Sequence, residues 1–362
     1  MAKLGLSIYP EHSELEKDLE YLSLAGKYGF QRVFTCLISM GDEKKEELIE
    51  KFRVRIDEAH KNGMEVILDV NPTVFHRLGM SSTDLSVFSQ MHADGIRLDE
   101  GFTGMGASRL TFNPWGLKVE MNASTEMGFI EDVVSHYPNR EKLMTCHNFY
   151  PQKYTGVSLE HFNYCNVFIK ERGLNVAAFV SSQNKEAIGP WPLSEGLCTL
   201  EMHRETPVDF QVRHMFATGM VDDVLIANAY ATKEELEACG AANPFVLTFG
   251  ICLEKELTPA EKAVLHFNQG HVVRGDMSEY MLRSTMTRVV YASEDIPAAN
   301  TRDLKRGDVV IINNNYGRYK GELHIVLRDM PNDGRKNVIG HLPEHEQILL
   351  DYAKPWKHFC FL

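Results

Sequence analysis

Eight short apolar segments alternate with longer amphipathic segments over the first two thirds of this 362-residue chain. The longer segments repeat apolar residues at the 3.6-residue period of a helix, and Gly29 and Gly63 are predicted to end the first two helices. This alternation is typical of parallel strands joined by crossover helices, and eight units favour a closed (β/α)8 TIM barrel, an α/β fold. The predicted strands are Leu4–Tyr9, Arg32–Leu37, Glu65–Val70, Gly95–Asp99, Lys118–Asn122, Lys142–His147, Asn175–Val180 and Val224–Asn228.

The pattern changes after about Pro244, where short strands and turns replace the alternation. The clearest predicted strands of this part are Asp308–Ile312 and Leu323–Leu327. We therefore predict two domains, a TIM-barrel catalytic domain over residues 1–244 and a small β-rich, barrel-like domain over residues 245–362.

The charge of the chain argues against nucleic acid as a partner. The net charge is −12, and residues 1–245 hold 23 Lys and Arg against 35 Asp and Glu, whereas residues 246–362 hold 15 of each. Phosphate backbones require basic surfaces, so this acidic excess is expected to be a solvated surface that favours solubility.

The sequence predicts a cytoplasmic protein that does not bind membranes. The N-terminal apolar segment is too short for a signal peptide, and no apolar run approaches the ~18 residues of a membrane-spanning helix. The seven cysteines are scattered and form no Cys-x-x-Cys pair, which is typical of reduced thiols.

Polar residues end most of the predicted strands, where the active sites of TIM barrels gather. Glycoside cleavage requires one carboxylic acid to protonate the leaving oxygen and a second carboxylate to attack or stabilise the oxocarbenium-like transition state. The candidate catalytic residues are Asp69, Asp99, Glu100, Glu120 and Glu201. The candidate substrate-binding residues are Asn71, Asn122, His147, Asn148, His203, Arg204, Asn228 and Tyr230, of which His203 and Arg204 share with Glu201 a long loop after the seventh strand.

The adjacent Asp99 and Glu100 permit a different mechanism, in which an acetamido group of the substrate attacks the anomeric carbon. Glu100 would then act as acid and base, and Asp99 would orient the acetamido group. The residues leave both mechanisms open, and with them retention or inversion at the anomeric carbon.

Two further segments are candidates for binding an anion. The glycine-rich segment Gly101–Arg109 offers backbone amides and the Arg109 guanidinium, although its glycines are equally typical of a tight turn. Arg318 lies in Tyr316–Lys320, for which a turn with surface charges is the alternative. No zinc-binding, dinucleotide-binding, P-loop or serine-hydrolase motif is found, so we predict no metal and no cofactor.

Several ordered motifs resemble one bacterial family. They are Gly5–Pro10, Ile67–Pro72, Ile96–Phe102, Pro192–Arg204 and Asn315–Leu323. Together they resemble the TIM-barrel family whose characterised activity is 6-phospho-N-acetylmuramidase, along essentially the whole chain. The resemblance implies cytoplasmic hydrolysis of a disaccharide of N-acetylmuramic acid 6-phosphate and N-acetylglucosamine during cell-wall recycling. It also implies that Arg97, Arg109 and Arg204 are available to bind the anionic groups of this substrate.

Two other functions remain open at this point. A phosphosugar isomerase or aldolase could use the same barrel, although Lys118 and Lys142 lie at strand beginnings, on the wrong face for a Schiff base. The other alternative is a non-catalytic phosphosugar-binding protein. The sequence also leaves open a homodimer and the role of the C-terminal domain.

Overall fold

The computed structural model describes residues 2–41, 43–125, 127–192 and 195–362. The chain divides into two compact units, of which the first ends at Ala242 and the second spans Asn243–Leu362. The predicted boundary after residue 244 falls just beyond this division. Leu193 and Ser194 of the predicted long loop lie outside the described residues.

The first unit contains a closed barrel of eight parallel strands, so the predicted TIM barrel is confirmed. The strands are β1 (Lys3–Ile8), β2 (Arg32–Cys36), β3 (Glu65–Val70), β4 (Gly95–Leu98), β5 (Lys118–Asn122), β6 (Leu143–Cys146), β7 (Val176–Val180) and β8 (Asp223–Ile226). Each strand pairs with the next along the chain, and β1 pairs with β8 to close the barrel. The predicted strands differ from these only at their ends.

Helices connect the strands on the outside of the barrel. They are α1 (Leu15–Lys27), α2 (Lys45–Lys61), α3 (Pro72–Arg77), α4 (Ser86–Gln90), α5 (Gly104–Leu110), α6 (Met127–Ser135), α7 (Leu159–Glu171), α8 (Val208–Ala217) and α9 (Lys233–Gly240). Gly29 and Gly63 follow α1 and α2 with φ of +82° and +77°. Glycine adopts this left-handed conformation most easily, and both predicted helix ends are confirmed.

An apolar layer between the strands and the helices stabilises the barrel. Val33 and Val66 on the strands and Leu22 and Phe52 on the helices belong to one buried cluster. Burial of each such side chain contributes about 1.5–3 kcal/mol. Because side chains alternate along a strand, the neighbours of Val33 and Val66 point into the barrel, where several are polar.

The second unit is rich in strands, as predicted. Its elements are β9 (Leu247–Phe249), β10 (Cys252–Leu253), α10 (Pro259–Leu265), β11 (His271–Val272), β12 (Met281–Ser284), α11 (Met286–Val290), β13 (Asp308–Ile312), β14 (Leu323–Val326), β15 (Lys336–His341) and β16 (His358–Phe361). The strands form a five-stranded sheet in the order β10-β15-β13-β14-β12 and a three-stranded sheet in the order β11-β16-β9. The two strands that the sequence predicts most clearly, β13 and β14, are neighbours in the larger sheet.

Within the described residues, every helix is too short or too polar to cross a membrane. All seven cysteines are free thiols.

Candidate active site

A pocket of about 230 Å³ opens at the carboxyl ends of the barrel strands. One part of its lining is polar and consists of Asp69, Arg97, Asp99 and Asn148. A second part is aromatic and consists of Phe34, Phe149, Phe179 and Trp191. Cys36, Ile38 and Ser39 complete the lining. The pocket therefore combines carboxylates with flat apolar surfaces.

Four inward-facing polar residues form a continuous row across β2 to β5. Cys36 pairs with Asp69, Asp69 with Arg97, and Arg97 with Glu120. Paired residues of adjacent strands point to the same face of a sheet, so all four side chains face the barrel interior. Because the strands of a barrel are tilted, the row descends from the last residue of β2 to the middle of β5.

Asp69 is a buried carboxylate in the wall of the pocket. Its Oδ1 accepts a hydrogen bond from Arg97 Nη1 at 2.8 Å, and Cys36 Sγ lies 3.7 Å from its Oδ2. Desolvation by burial raises the pKa of Asp69 to about 6, with Asp99 and Glu120 adding to the rise and the charge of Arg97 opposing it. A carboxyl group with this pKa is partly protonated near neutral pH, as a general acid requires.

Asp99 approaches the same guanidinium group from the solvent side. Its Oδ1 lies 3.9 Å from Arg97 Nη1, and its side chain is 34% exposed, against 10% for Asp69. Arg97 also donates through Nη2 to Asn148 Oδ1. Glu100 is exposed and does not line the pocket. The fold thus gathers Asp69, Asp99 and Asn148 around Arg97 and leaves Glu100 outside.

Glu120 lies behind Arg97, deeper in the barrel. Its Oε2 accepts a hydrogen bond from Arg32 Nη2, and Arg32 Nη1 donates to Asp223 Oδ2 at 2.8 Å. Glu120 Oε1 and Arg97 Nε have no hydrogen-bond partner among the described residues. Glu120 is fully buried and does not line the pocket, so it acts on the pocket through its charge and not by contact.

Glu201 and Arg204 join two loops. Arg204 donates through Nε to Glu201 Oε1 at 2.7 Å and through Nη2 to Oε2 at 2.6 Å. The backbone amides of Tyr154 and Gly156 donate to the same carboxylate, each at 2.8 Å. The hydrogen bonds from Arg204, with help from these amides, lower the pKa of Glu201 to about 2. The carboxylate is ionised and saturated with donors, so the structure does not support the predicted catalytic role of Glu201 or anion binding by Arg204.

Both candidate histidines are buried and bonded to other protein groups. His147 Nδ1 lies 3.0 Å from Ser124 Oγ, and its Nε2 lies 2.9 Å from Asn166 Oδ1. His203 Nε2 lies 2.7 Å from His214 Nδ1. Burial lowers the pKa of His147 to about 4 and that of His203 well below its ordinary value. Neither ring lines the pocket, and their predicted substrate contacts are not supported.

Two of the candidate asparagines shape the turns at strand ends. Asn71 caps α3, and its Oδ1 accepts from Val74 N at 3.1 Å. Asn122 Oδ1 accepts from Ser124 N at 2.8 Å in the turn after β5. Both side chains therefore have local structural roles.

The candidates after β8 also have protein partners. Asn228 Oδ1 accepts from Ser182 N at 2.7 Å, and Asn228 Nδ2 donates to Ser182 O at 2.9 Å. Tyr230 donates its hydroxyl hydrogen to Asp18 Oδ1 at 2.8 Å. Arg318 is exposed in the second unit, and its predicted role in binding stays a prediction.

Two amides of the glycine-rich segment, which the sequence predicts as an anion cradle, are hydrogen-bonded within the protein. The Thr103 side chain caps α5 and accepts from Gly106 N at 3.2 Å, while Gly104 N donates to Asp132 Oδ2 at 3.1 Å. A Cβ atom on Gly104 would lie 2.0 Å from that same oxygen. Glycine is therefore required for close packing against α6, and a carboxylate already occupies the helix start. Arg109 is exposed on α5.

The aromatic part of the pocket was missed by sequence reasoning. Phe34 and Phe179 lie within strands, where an aromatic residue is ordinarily assigned to the apolar core. The position of Trp191 between two prolines in the long loop after β7 is a sequence feature that could have indicated a functional role. The pairing of Phe149 with these residues arises only when the barrel closes.

A second cavity of about 250 Å³ lies beside the loops that follow β7 and β8. Its lining includes Lys153, Lys185, Glu195 and Glu205, together with Asn228 and Arg204. Lys153 is paired with Glu205 at 2.7 Å. Lys185 is exposed and makes no ion pair with any described residue. Among the described residues, no group of three or more His, Cys, Asp or Glu side chains is placed to hold a metal ion.

The fold and the pocket define a TIM-barrel protein with paired acids at the carboxyl ends of its strands. The chain belongs to the 6-phospho-N-acetylmuramidase family. The family's N-terminal domain matches residues 4–241, and its C-terminal domain matches residues 247–362. Both units of the chain therefore correspond to domains of one family.

Solved structures of two bacterial proteins are similar along the whole chain. An uncharacterized Bacillus cereus protein shares 46% sequence identity with a TM-score of 0.91, and the match covers 100% of this chain and 99% of that one. A conserved Enterococcus faecalis protein of unknown function shares 24% identity with a TM-score of 0.77, covers 100% and 96% of the two chains, and shows the fold alone. Among curated proteins, no sequence matches this chain significantly.

Proposed function

We propose that this protein hydrolyses the glycosidic bond between N-acetylmuramic acid 6-phosphate and N-acetylglucosamine. The observation that carries the proposal is that Asp69 and Asp99 both line the pocket of a 6-phospho-N-acetylmuramidase family barrel and lie 2.8 and 3.9 Å from Arg97 Nη1. Two carboxylates in different environments are what glycoside cleavage requires.

The environments of the two acids suggest their roles. Asp69, whose pKa is raised to about 6, donates its proton to the glycosidic oxygen as the bond from that oxygen to the anomeric carbon breaks. The more exposed Asp99 is the second carboxylate, which attacks the anomeric carbon or holds the acetamido group that does so. A water molecule then attacks the anomeric carbon as its bond to Asp99 or to the acetamido oxygen breaks, and Asp69 takes up the proton that this water releases. The reaction consumes one water molecule for each glycosidic bond that is cleaved.

The positions of the two carboxylates are compatible with retention of the anomeric configuration. Inverting enzymes keep their carboxyl groups about 6.5–9.5 Å apart to leave room for a water molecule, whereas retaining enzymes hold them about 5–5.5 Å apart. Here both carboxylates contact a single nitrogen atom of Arg97, at 2.8 and 3.9 Å. We expect the released N-acetylmuramic acid 6-phosphate to appear first in the configuration of the substrate, as followed by NMR.

The phosphate group needs a cation that is not already neutralised. In the second cavity, Arg204 is paired with Glu201 and Lys153 with Glu205, whereas Lys185 has no carboxylate partner in the described part of the chain. We propose that Lys185 binds the phosphate in this cavity. The setting that fits this chemistry is recycling of cell-wall fragments in the bacterial cytoplasm.

The aldolase alternative gains no support. Lys118 pairs with Glu65, and both Lys118 and Lys142 line a cavity at the opposite, N-terminal ends of the strands. No lysine is among the residues that line the pocket with Asp69. A Schiff base would need one there.

The test is incubation of the purified protein with the disaccharide and with its unphosphorylated form, followed by mass spectrometry. We expect cleavage of the phosphorylated compound, and a loss of orders of magnitude in kcat for Asp69→Asn and Asp99→Asn. Glu100→Gln is the matched control, because it makes the same carboxyl-to-amide change beside Asp99 but outside the pocket. Loss of activity in Glu100→Gln alone would favour Glu100 as the acid, and no cleavage by the wild type would refute the proposal.

A further inference from the structure

We propose that Trp191 is a stacking platform for a pyranose ring of the substrate, and that it sets affinity for the sugar and not the rate of bond cleavage. The inference rests on the proposed function, because it names a subsite within the same pocket.

The aromatic residues of the pocket differ in the exposed fraction of their side chains. Phe34 and Phe179 are each 1% exposed, and their ring centroids lie 5.1 Å apart in an edge-to-face arrangement. Phe149 is half-buried and packs edge-to-face on both, at 6.0 and 5.1 Å. These three rings support one another and form a rigid apolar floor.

Trp191 extends this floor toward solvent. Its ring centroid lies 6.0 Å from that of Phe149, yet the residue is 46% exposed. Only part of the indole is therefore used in packing within the protein. The free part lines the same pocket as Asp69 and Asp99.

Contacts within the protein hold the segment that carries Trp191. His12 Nε2 lies 3.0 Å from Pro190 O. Gly189 packs so closely on Leu197 that a Cβ atom there would lie 2.8 Å from Leu197 Cδ1. Prolines on both sides of Trp191 also restrict the backbone. A platform held in this way lowers the entropy cost of binding.

The two parts of the pocket match the two kinds of surface on an amino-sugar ring. A gluco-configured pyranose carries its hydroxyl groups around its edge and presents axial C–H bonds on its faces. Asp69, Arg97, Asp99 and Asn148 offer hydrogen-bonding groups to the edge, whereas an indole offers the largest flat apolar area to a face. The lining therefore fits a gluco-configured pyranose, and the proposed function makes this an N-acetylated ring.

The first test compares Trp191→Phe, Trp191→Leu and Trp191→Ala in steady-state kinetics. We expect KM to rise by about tenfold in Trp191→Ala with kcat changed by less than about threefold, and Phe to retain more affinity than Leu. The matched control is Trp115→Phe, since Trp115 is also exposed, at 41%, but precedes β5 at the other end of the barrel. An unchanged KM in Trp191→Ala, a fall in kcat alone, or wild-type affinity in Trp191→Leu would overturn the inference.

The second test does not depend on turnover. Tryptophan fluorescence of Trp115→Phe is titrated with methyl N-acetyl-β-glucosaminide, and the same titration is made with Trp191→Phe. We expect a saturable change in the first variant that is absent from the second, and no change in either would overturn the platform. A saturable change without hydrolysis of the disaccharide would refute the proposed function and keep the platform. Hydrolysis of the disaccharide with an unchanged KM in Trp191→Ala would keep the proposed function and refute the platform.

Discussion

Arg97 donates a hydrogen bond through Nη1 to Asp69 Oδ1 at 2.8 Å, and the two residues are paired on neighbouring strands with both side chains inside the barrel. An adjacent guanidinium ordinarily lowers the pKa of a carboxyl group, but here desolvation outweighs it. Arg97 therefore fixes the position of Asp69 without forcing it to stay ionised.

The activity is predicted to fall as the pH rises through about 6. The pKa of Asp69 is raised to about 6, and the proposed acid is lost when this group deprotonates. We expect kcat/KM, measured from pH 4 to 9, to fall above about pH 6, which is the alkaline limb of the pH profile. The residual activity of Asp69→Asn should lack this limb. If Asp69→Asn keeps the limb of the wild type, another group titrates.

Glu120→Gln is predicted to move this limb to lower pH. The Glu120 charge helps to raise the pKa of Asp69, and the amide keeps the shape while removing the charge. We expect the limb to move to lower pH, with more activity lost at pH 6 than at pH 4 relative to the wild type. Asp223→Asn is the control, because Asp223 shares Arg32 with Glu120 but lies at the start of β8. Equal shifts in both variants would indicate a general loosening of the barrel, which thermal unfolding would detect.

Glu201→Gln is predicted to destabilise the fold while leaving catalysis intact. The pKa of Glu201 is lowered to about 2, so its ion pair stabilises the folded state above the unfolded pKa of about 4.3, and this contribution disappears as the pH falls toward 2. We expect a loss of about 1–2 kcal/mol in the free energy of unfolding at pH 7 by chemical denaturation. Glu205→Gln removes an exposed carboxylate from the same loop and should cost less. A large fall in kcat of folded Glu201→Gln would restore Glu201 as a catalytic candidate.

Acid is predicted to destabilise the protein through His147. The folded-state pKa of His147 is lowered to about 4, below the unfolded value of about 6.5, so the unfolded chain binds more protons between these values. The free energy of unfolding should therefore fall as the pH drops from about 6.5 to 4. We expect this slope to be reduced in His147→Gln and unchanged in His76→Gln, which alters an exposed histidine. Equal slopes in all three proteins would contradict the assignment.

Part of the candidate site could be predicted because barrels place chemistry at strand ends. Asp69 and Asp99 follow from the position of β3 and β4 in the sequence. Glu120 has the same sequence context as Asp69 and Asp99, but strand tilt places it deeper in the barrel, where it contacts Arg32 and does not line the pocket. Glu201 also follows a strand, but its role depends on contacts with Arg204 between loops, which a local sequence pattern does not predict.

The order and type of the elements in the first unit follow from the sequence, because the periods of strands and helices and the glycines that end helices are local properties of the chain. Which acids share Arg97, and which aromatic rings border them, depends on how the barrel closes. The reason is physical: the pKa of Asp69 depends on burial and on charges from other strands, and the surface beside it joins rings such as Phe34 and Trp191 that are distant in sequence and meet only in the closed barrel.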